Sequence, residues 1–358
     1  MNVRDLKYLL AYLLPLCVAL ALIYPAVSPW SIAVFVFGIV PVLERLLPAS
    51  KANLEEAAER QKSDMRLFDY LLWLNVPIVF GILWGYFDVL ASDREFSAAY
   101  LIGLTLSVGI VLGANGINVA HELGHRAGAW EQGLAQFLLM PSLYMHFFVE
   151  HNWGHHKHVA TDRDPASARR GEWVYAFWFR SIGGGWRSAW QIERRHLERT
   201  GRSVWSVHNR MLRYFVFQML WLGIVYAVFG PAGLSGALAV ALISVLLLET
   251  INYIEHYGLR RRLLDNGRYE PVSPRHSWNS NHEVGRILLY ELTRHSDHHY
   301  KSSRKYQILR HIDESPQLPF GYPGAMLAAL VPPLWFRIMD KRLESLGGDF
   351  SEASALAT

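Results

Sequence analysis

Eight of the sixteen histidines in this 358-residue sequence fall into groups spaced like metal ligands, and a ninth joins them singly. His121 and His125 stand four apart in HELGH. His151 and His155 repeat that spacing in HNWGHH, with His156 beside them, and His295, His298 and His299 combine separations of three and four in HSDHH. Residues three or four apart share one face of a helix, so each such pair can bring two imidazoles to one ion. His256 adds a single ring in NYIEHYG. A zinc ion takes about four ligands, often about three of them from protein. Nine imidazoles are too many for one ion and match two ions with four and five rings each. Imidazole suits iron, copper, zinc and nickel, so donor type alone leaves the metal open.

A narrower reading uses only part of this set. His121-Glu122-Leu-Gly-His125 fits the zinc-protease pattern HExxH, with Glu122 as general base, but that chemistry leaves the clusters at 151–156 and 295–299 without a role. The remaining histidines, His146, His158, His196, His208, His276, His282 and His311, read as supporting, structural or solvent-facing. A metal-bound imidazole usually donates its other ring N–H to a carboxylate, carbonyl or water. Glu122, Glu150, Asp162, Asp164, Glu255 and Asp297 are candidates for that task, with balancing of surface arginines as the plainer alternative.

The elements that must position these rings belong to a membrane protein. Charged residues make up 18% of the chain and hydrophobic ones 51%, against about 25% charged in ordinary soluble domains. Apolar runs of spanning length occur at about 8–28, 30–48, 69–90, 99–120, 213–230 and 233–255. A helix needs about 20 residues to cross the hydrocarbon core, and only a helix satisfies its backbone within such a segment. The expected fold is therefore all-α and integral to the membrane, six transmembrane helices under a histidine-rich cap built from about 121–210 and 256–346. The first run, 8–27, is long enough to be a retained span rather than a signal peptide.

Arg4 and Lys7 precede the first run, and Arg45, Lys51, Arg60, Lys62 and Arg66 fill the loop after the second. The loops on the other side carry only Arg94. Positive-inside logic puts both termini and every histidine cluster in the cytoplasm. The apolar stretch 325–339, interrupted by Pro332 and Pro333, is too short to span and is expected at the interface, and the end from about Gly347 reads as frayed. A single domain over 1–358 is the simplest organisation. Net charge is +4 without any lysine-rich, aromatic-interleaved stretch, which excludes a nucleic-acid binder, and the one cysteine, Cys17, excludes a CxxC metal site.

The histidine motifs and their surroundings resemble the membrane alkane 1-monooxygenases, the rubredoxin-dependent alkane hydroxylases of bacteria. The resemblance rests on HELGHR at 121–126, EHNWGHH at 150–156, NYIEHYG at 252–258 and LTRHSDHH at 292–299. It continues through ATDRDPAS at 160–167, SVWSVHNR at 203–210, RHSWNSNH at 275–282 and GYPGA at 321–325, and covers about 30–348. Fatty-acid desaturases share the wider histidine plan, but NYIEHYG is similar to the hydroxylase branch. The resemblance implies two iron ions, O2 activation, and terminal hydroxylation of medium-chain n-alkanes to 1-alkanols. It also implies a bacterial inner-membrane location. The family's metal ligands carry over onto His121, His125, His151, His155, His156, His256, His295, His298 and His299, with no motif position missing. Which ring serves which iron stays open.

An alkane offers no charge or hydrogen bond, so apolar surface must hold it, at about 0.8 kcal/mol per buried CH2. A tunnel between spans is expected, with Trp30, Phe35, Phe37, Trp73, Trp84 and Tyr86 as candidates for limiting chain length or as interfacial belt residues. The chain has no Rossmann fingerprint, flavin motif or rubredoxin-like CxxC, so electrons need a separate carrier. The resemblance names rubredoxin, with rubredoxin reductase upstream. Basic clusters at Arg194–Arg195, Arg260–Arg262 and Lys301–Lys305 are candidates for docking it.

Overall fold

The computed structural model describes residues 3–24 and 26–347, and among these residues the structure is helical, with only isolated β-bridges. The expected frayed end lies outside them except for its first residue. Helix α1 runs Asp5–Ile23, α2 covers 31–46, α3 is Glu56–Ser63, α4 Arg66–Ala91 and α5 Ala98–Gly124. Then come α6 (Ala129–Leu139), α7 (147–158), α8 (Val174–Arg199) and α9 (Arg210–His256). The short α10 (Glu283–Leu288), α11 (His295–Tyr300), α12 (Tyr322–Ala329) and α13 (Pro332–Ser345) complete the cap.

Among the described residues four helices, α1, α4, α5 and α9, are long and apolar enough to cross a membrane. Five of the six expected runs fall on these four helices, and the second, 30–48, falls on α2, which is not among them. The fifth and sixth runs form one 47-residue helix, α9. Forty-seven residues rising about 1.5 Å each exceed twice the roughly 30 Å hydrocarbon core. The helix is broken within that length at Gly230 (φ 65°, ψ −162°), next to Pro231. Glycine tolerates that backbone and proline removes a helical N–H, so the break falls where the sequence placed the turn. The second run, α2, is shorter than the other four, and Phe35–Ile39 within it forms a π-turn.

The core lies where α9 packs along α4 and α5, with α1 against α4 and α5. Close approach is possible because Gly109 faces Ile243; a Cβ there would sit 2.5 Å from the isoleucine. A second apolar cluster, with Tyr253, Tyr257, Trp278 and Trp335 fully buried, joins the end of α9 to α12 and α13. The stretch 325–339 is thus two helices meeting at Pro332, part of this cluster rather than one segment.

Three π-turns, Phe35–Ile39, Leu112–Ile117 and His151–His155, occur in this fold. Each adds a residue to a helical turn, as π-bulges commonly do at functional sites. The first two contribute to one apolar cavity and the third carries histidines.

Candidate metal centre

The ends of α5 and α9 meet α7 and α11, and their imidazoles converge in two groups. His121, His125, His151, His156 and His298 form one; His155, His256, His295 and His299 form the other, and in each the donor atoms lie within 4.8 Å of one another. All nine histidines singled out from the sequence are brought together, divided five and four. The groups are adjacent: the ring of His156 stacks on that of His299 at 4.4 Å between centroids.

The division differs from simple helical pairing. His121 and His125 share a group, as do His295 and His299, but His151 and His155 do not. In the π-turn the ring five residues on returns to the same side, so His151 Nε2 meets His156 Nε2 at 3.0 Å. His155 is turned to the other group, with its Nε2 3.2 Å from that of His299.

Inward-facing Nε2 atoms make a donor set suited to ions. His121 and His298 approach to 2.8 Å, His125 and His151 to 3.0 Å, and His256 and His295 to 3.2 Å. Two nitrogens each about 2.1 Å from one ion and about 90° apart are about 3 Å from each other. A neutral imidazole has one N–H, so hydrogen bonding cannot satisfy His125, His151 and His156 together through Nε2 if Nδ1 carries the proton. Burial, followed by the neighbouring rings, pushes His151, His156, His295, His298 and His299 well below the ordinary histidine range. Burial brings His125 down to about 3. Neutral imidazole is the form a metal binds, so these residues fit metal ions.

Outer contacts fix some of the rings. His155 Nδ1 lies 2.9 Å from Asp164 Oδ2. Burial pulls His155 down, but Asp164, Glu150 and Glu255 outweigh it and hold the ring above its usual range. His256 Nδ1 faces the carbonyl of His276 at 3.4 Å. Glu255 Oε2 lies 3.2 Å from His295 Nε2, and its Oε1 accepts from the Tyr322 hydroxyl at 2.6 Å. Glu255 therefore faces the donor side of the four-ring group.

The other carboxylate candidates divide. Glu122 pairs with Arg126 at 2.8 Å and accepts from the Tyr306 N–H, which removes it from the role the HExxH reading requires. Asp297 pairs with Arg304 and accepts from the Arg310 N–H. Asp162 is exposed at the surface. Glu150 lines a small polar cavity beside His151 and His155, with His146, Tyr144 and Glu249. Burial, then Asp164, pushes Glu150 up to about 8. Sequence reading passed over Glu249 and Tyr144, joined at 2.8 Å, because both sit inside or beside apolar runs without a motif. His276 was read only as a supporting, structural or solvent-facing histidine, and Tyr322 only as part of the wider motif GYPGA.

An apolar cavity reaches this centre from between the helices. Leu14, Val36, Ile110 and Leu247 line it, and His121, His151, His295 and Glu255 stand at its polar end. Of the six aromatic candidates, Phe37 lines the cavity and the other five do not.

Buried, clustered imidazoles at the ends of membrane-length helices define an all-helical, membrane-type metalloprotein. The signature of the "Fatty acid desaturase" family matches residues 96–328. "Alkane 1-monooxygenase 2" of Pseudomonas aeruginosa is 40% identical over 90% of this chain and 86% of its own length. "Alkane 1-monooxygenase 1" of Alcanivorax borkumensis is 37% identical over 96% of this chain and 86% of its own. A "Xylene/toluene monooxygenase hydroxylase component" of Pseudomonas putida is 30% identical over 92% and 87%. The chain belongs to the fatty acid desaturase family and, within it, to the alkane 1-monooxygenases.

Proposed function

We propose that this chain hydroxylates medium-chain n-alkanes at a terminal carbon, using O2 and rubredoxin-derived electrons at a di-iron centre held by the nine histidines. One iron would take His121, His125, His151, His156 and His298, and the other His155, His256, His295 and His299. The observation that carries this reading is the apolar cavity whose polar end is made of rings from both groups. Irons so held would supply the oxygen-derived oxidant that an unactivated C–H bond requires and that side chains lack.

The chain's own residues do the rest. Leu14, Val36, Ile110 and Leu247 hold methylenes and exclude water, each buried CH2 contributing about 0.8 kcal/mol. Ile110 lies eleven residues before His121 on α5, about 16 Å along the helix at 1.5 Å per residue. A linear chain lying beside α5 thus presents its end, not its middle, to the imidazoles. Asp164 and the His276 carbonyl keep His155 and His256 turned inward. The overall balance is one alkane, one O2, two electrons and two protons giving one alkanol and one water. The reading includes a bacterial inner-membrane location with the histidines and termini in the cytoplasm, supported by the apolar segments and by the basic residues of the loops at 1–7 and 45–66.

Incubation of the purified, iron-loaded protein with n-octane, O2, rubredoxin, rubredoxin reductase and NADH tests the reading. Formation of 1-octanol is expected. Absence of any alkanol from protein that retains its iron, across a series of alkane lengths, would sink it.

A further inference from the structure

Hydroxylation consumes two electrons, and no redox group other than the proposed centre is encoded here, so electrons must enter through the protein surface. We infer that the hairpin at 259–271, together with the adjoining loop at 157–163, is the docking surface for a small acidic electron-carrier protein, an inference that rests on the oxygenase reading above.

Position is the first argument. The chain leaves the four-ring group at His256, turns at Gly258 (φ 71°) and forms a hairpin closed by the Leu263–Tyr269 bridge. The hairpin is tied directly to the histidine-bearing segments. The Arg261 N–H donates to the Ala160 carbonyl at 2.8 Å, and its Nη1 donates to the carbonyl of Lys157, two residues beyond His155, at 3.0 Å. On its other strand, Glu270 Oε1 meets His276 Nε2 at 3.2 Å, and the carbonyl of His276 faces His256 Nδ1. A continuous polar route therefore joins this exposed hairpin to the four-ring group.

Charge is the second argument. The hairpin holds Arg260, Arg261, Arg262 and Arg268 against Asp265 and Glu270. The guanidinium of Arg163, from the adjoining loop, lies 6.0 Å from the Tyr269 ring. Lys157, Arg163 and Arg268 are exposed, and among the described residues none of them has an acidic partner in ion-pair range. In the other basic clusters Arg304 pairs with Asp297, Lys305 with Asp69 and Arg194 with Glu198, leaving Lys301 and Arg195 without an acidic partner among the described residues; in the hairpin Arg260 pairs with Asp162 and Arg262 with Glu270, so its surplus charge rests on Lys157, Arg163 and Arg268. Surplus positive charge of this kind steers an acidic partner toward its docking site and fixes its orientation.

Apolar exposure is the third. Leu263 is 64% exposed and Leu264 39%, side by side between Arg262 and Arg268. Transient redox encounters bury little surface, under about 1,200 Å2, and a pair of leucines ringed by cations suits a brief contact.

Bacterial rubredoxin is the probe, and the full iron-loaded chain in neutral-lipid nanodiscs is the sample. Binding is measured at low and at high salt for the wild type, for the triple variant Lys157→Glu, Arg163→Glu, Arg268→Glu, for Arg268→Glu alone, and for Arg194→Glu with Arg195→Glu. Wild-type binding is expected to weaken with salt. The triple variant should bind about tenfold or more weakly at low salt, with unchanged iron content and melting temperature, while the Arg194 and Arg195 variant binds as the wild type does. Arg268→Glu alone, at the hairpin's far strand, gives the same direction should the triple variant lose iron. Wild-type-like binding by Arg268→Glu and the triple variant would overturn the docking surface and leave the rubredoxin reading standing. Failure of the iron-loaded wild type to bind rubredoxin at low salt would overturn that reading itself, and the surface with it.

Discussion

His155 keeps its outer ring nitrogen 2.9 Å from Asp164, whose carboxylate in turn accepts from the Ser167 hydroxyl and the Ala166 N–H. That chain of contacts makes Asp164 a positioning residue for the four-ring group. Asp164→Asn is expected to lower metal affinity or activity by about 10- to 100-fold. Iron retention against a chelator measures it independently of turnover, and retention equal to the wild type would contradict the role. His155→Ala removes a ring outright; turnover should vanish while the protein still inserts and keeps its helical spectrum. Eight of the nine rings were legible in the sequence because residue type and short spacing are local properties, and His256 through the NYIEHYG motif around it. The carboxylates were not sorted there, because the direction each one turns depends on distant partners. Tyr306 and Arg126 claim Glu122, and Arg304 claims Asp297, whereas Asp164 and Glu255 are left to the histidines.

Among the elements, the π-turn His151–His155 decides which rings fall in the same group. Its extra residue sends His155 to one group and pairs His151 with His156, a division that four-residue spacing does not foretell. Deleting Asn152 should restore α-helical register and misplace the rings, so that iron loading falls while the helical content stays. Undiminished loading would show that the turn is incidental. On α5, Ile110 marks the cavity wall farthest along the helix from His121 among the residues of α5 that line it. Ile110→Phe should displace about two methylenes of a long substrate, about 1.6 kcal/mol or roughly 15-fold in kcat/KM, and leave short alkanes little affected. Product analysis across chain lengths checks this, and an unchanged length profile would remove Ile110 from the substrate wall. Six apolar runs were legible from composition, and so was the Gly230–Pro231 break. The π-turns were not, since they arise from packing against other helices.

At the scale of the whole molecule, a buried ion network ties α1 to the histidine-bearing cap. Glu291 accepts from Lys7 and Tyr8 at 2.8 Å each and from Arg286 at 2.5 Å. Burial alone would raise this carboxyl, but Arg286 and Lys7 outweigh it and bring Glu291 down to about 2 from an ordinary 4.5. A depressed carboxylate contributes its stability above the unfolded value and loses it as pH falls toward the folded one. The difference in melting temperature between wild type and Glu291→Gln should therefore be full above pH 4.5 and shrink toward pH 2. Breaking such a buried pair costs about 3–5 kcal/mol. A difference independent of pH would mean that the lost contact, not the charge, carries the effect.

The most direct test of the central claim is the metal content per chain of protein purified in mild detergent, by elemental analysis. Close to two irons per chain, falling when either His151 or His295 is replaced by alanine, is the expected result, because the five-ring and four-ring groups are each complete. A single zinc and no iron, in protein shown not to have lost metal during purification, would contradict a di-iron centre and with it the assignment of all nine histidines.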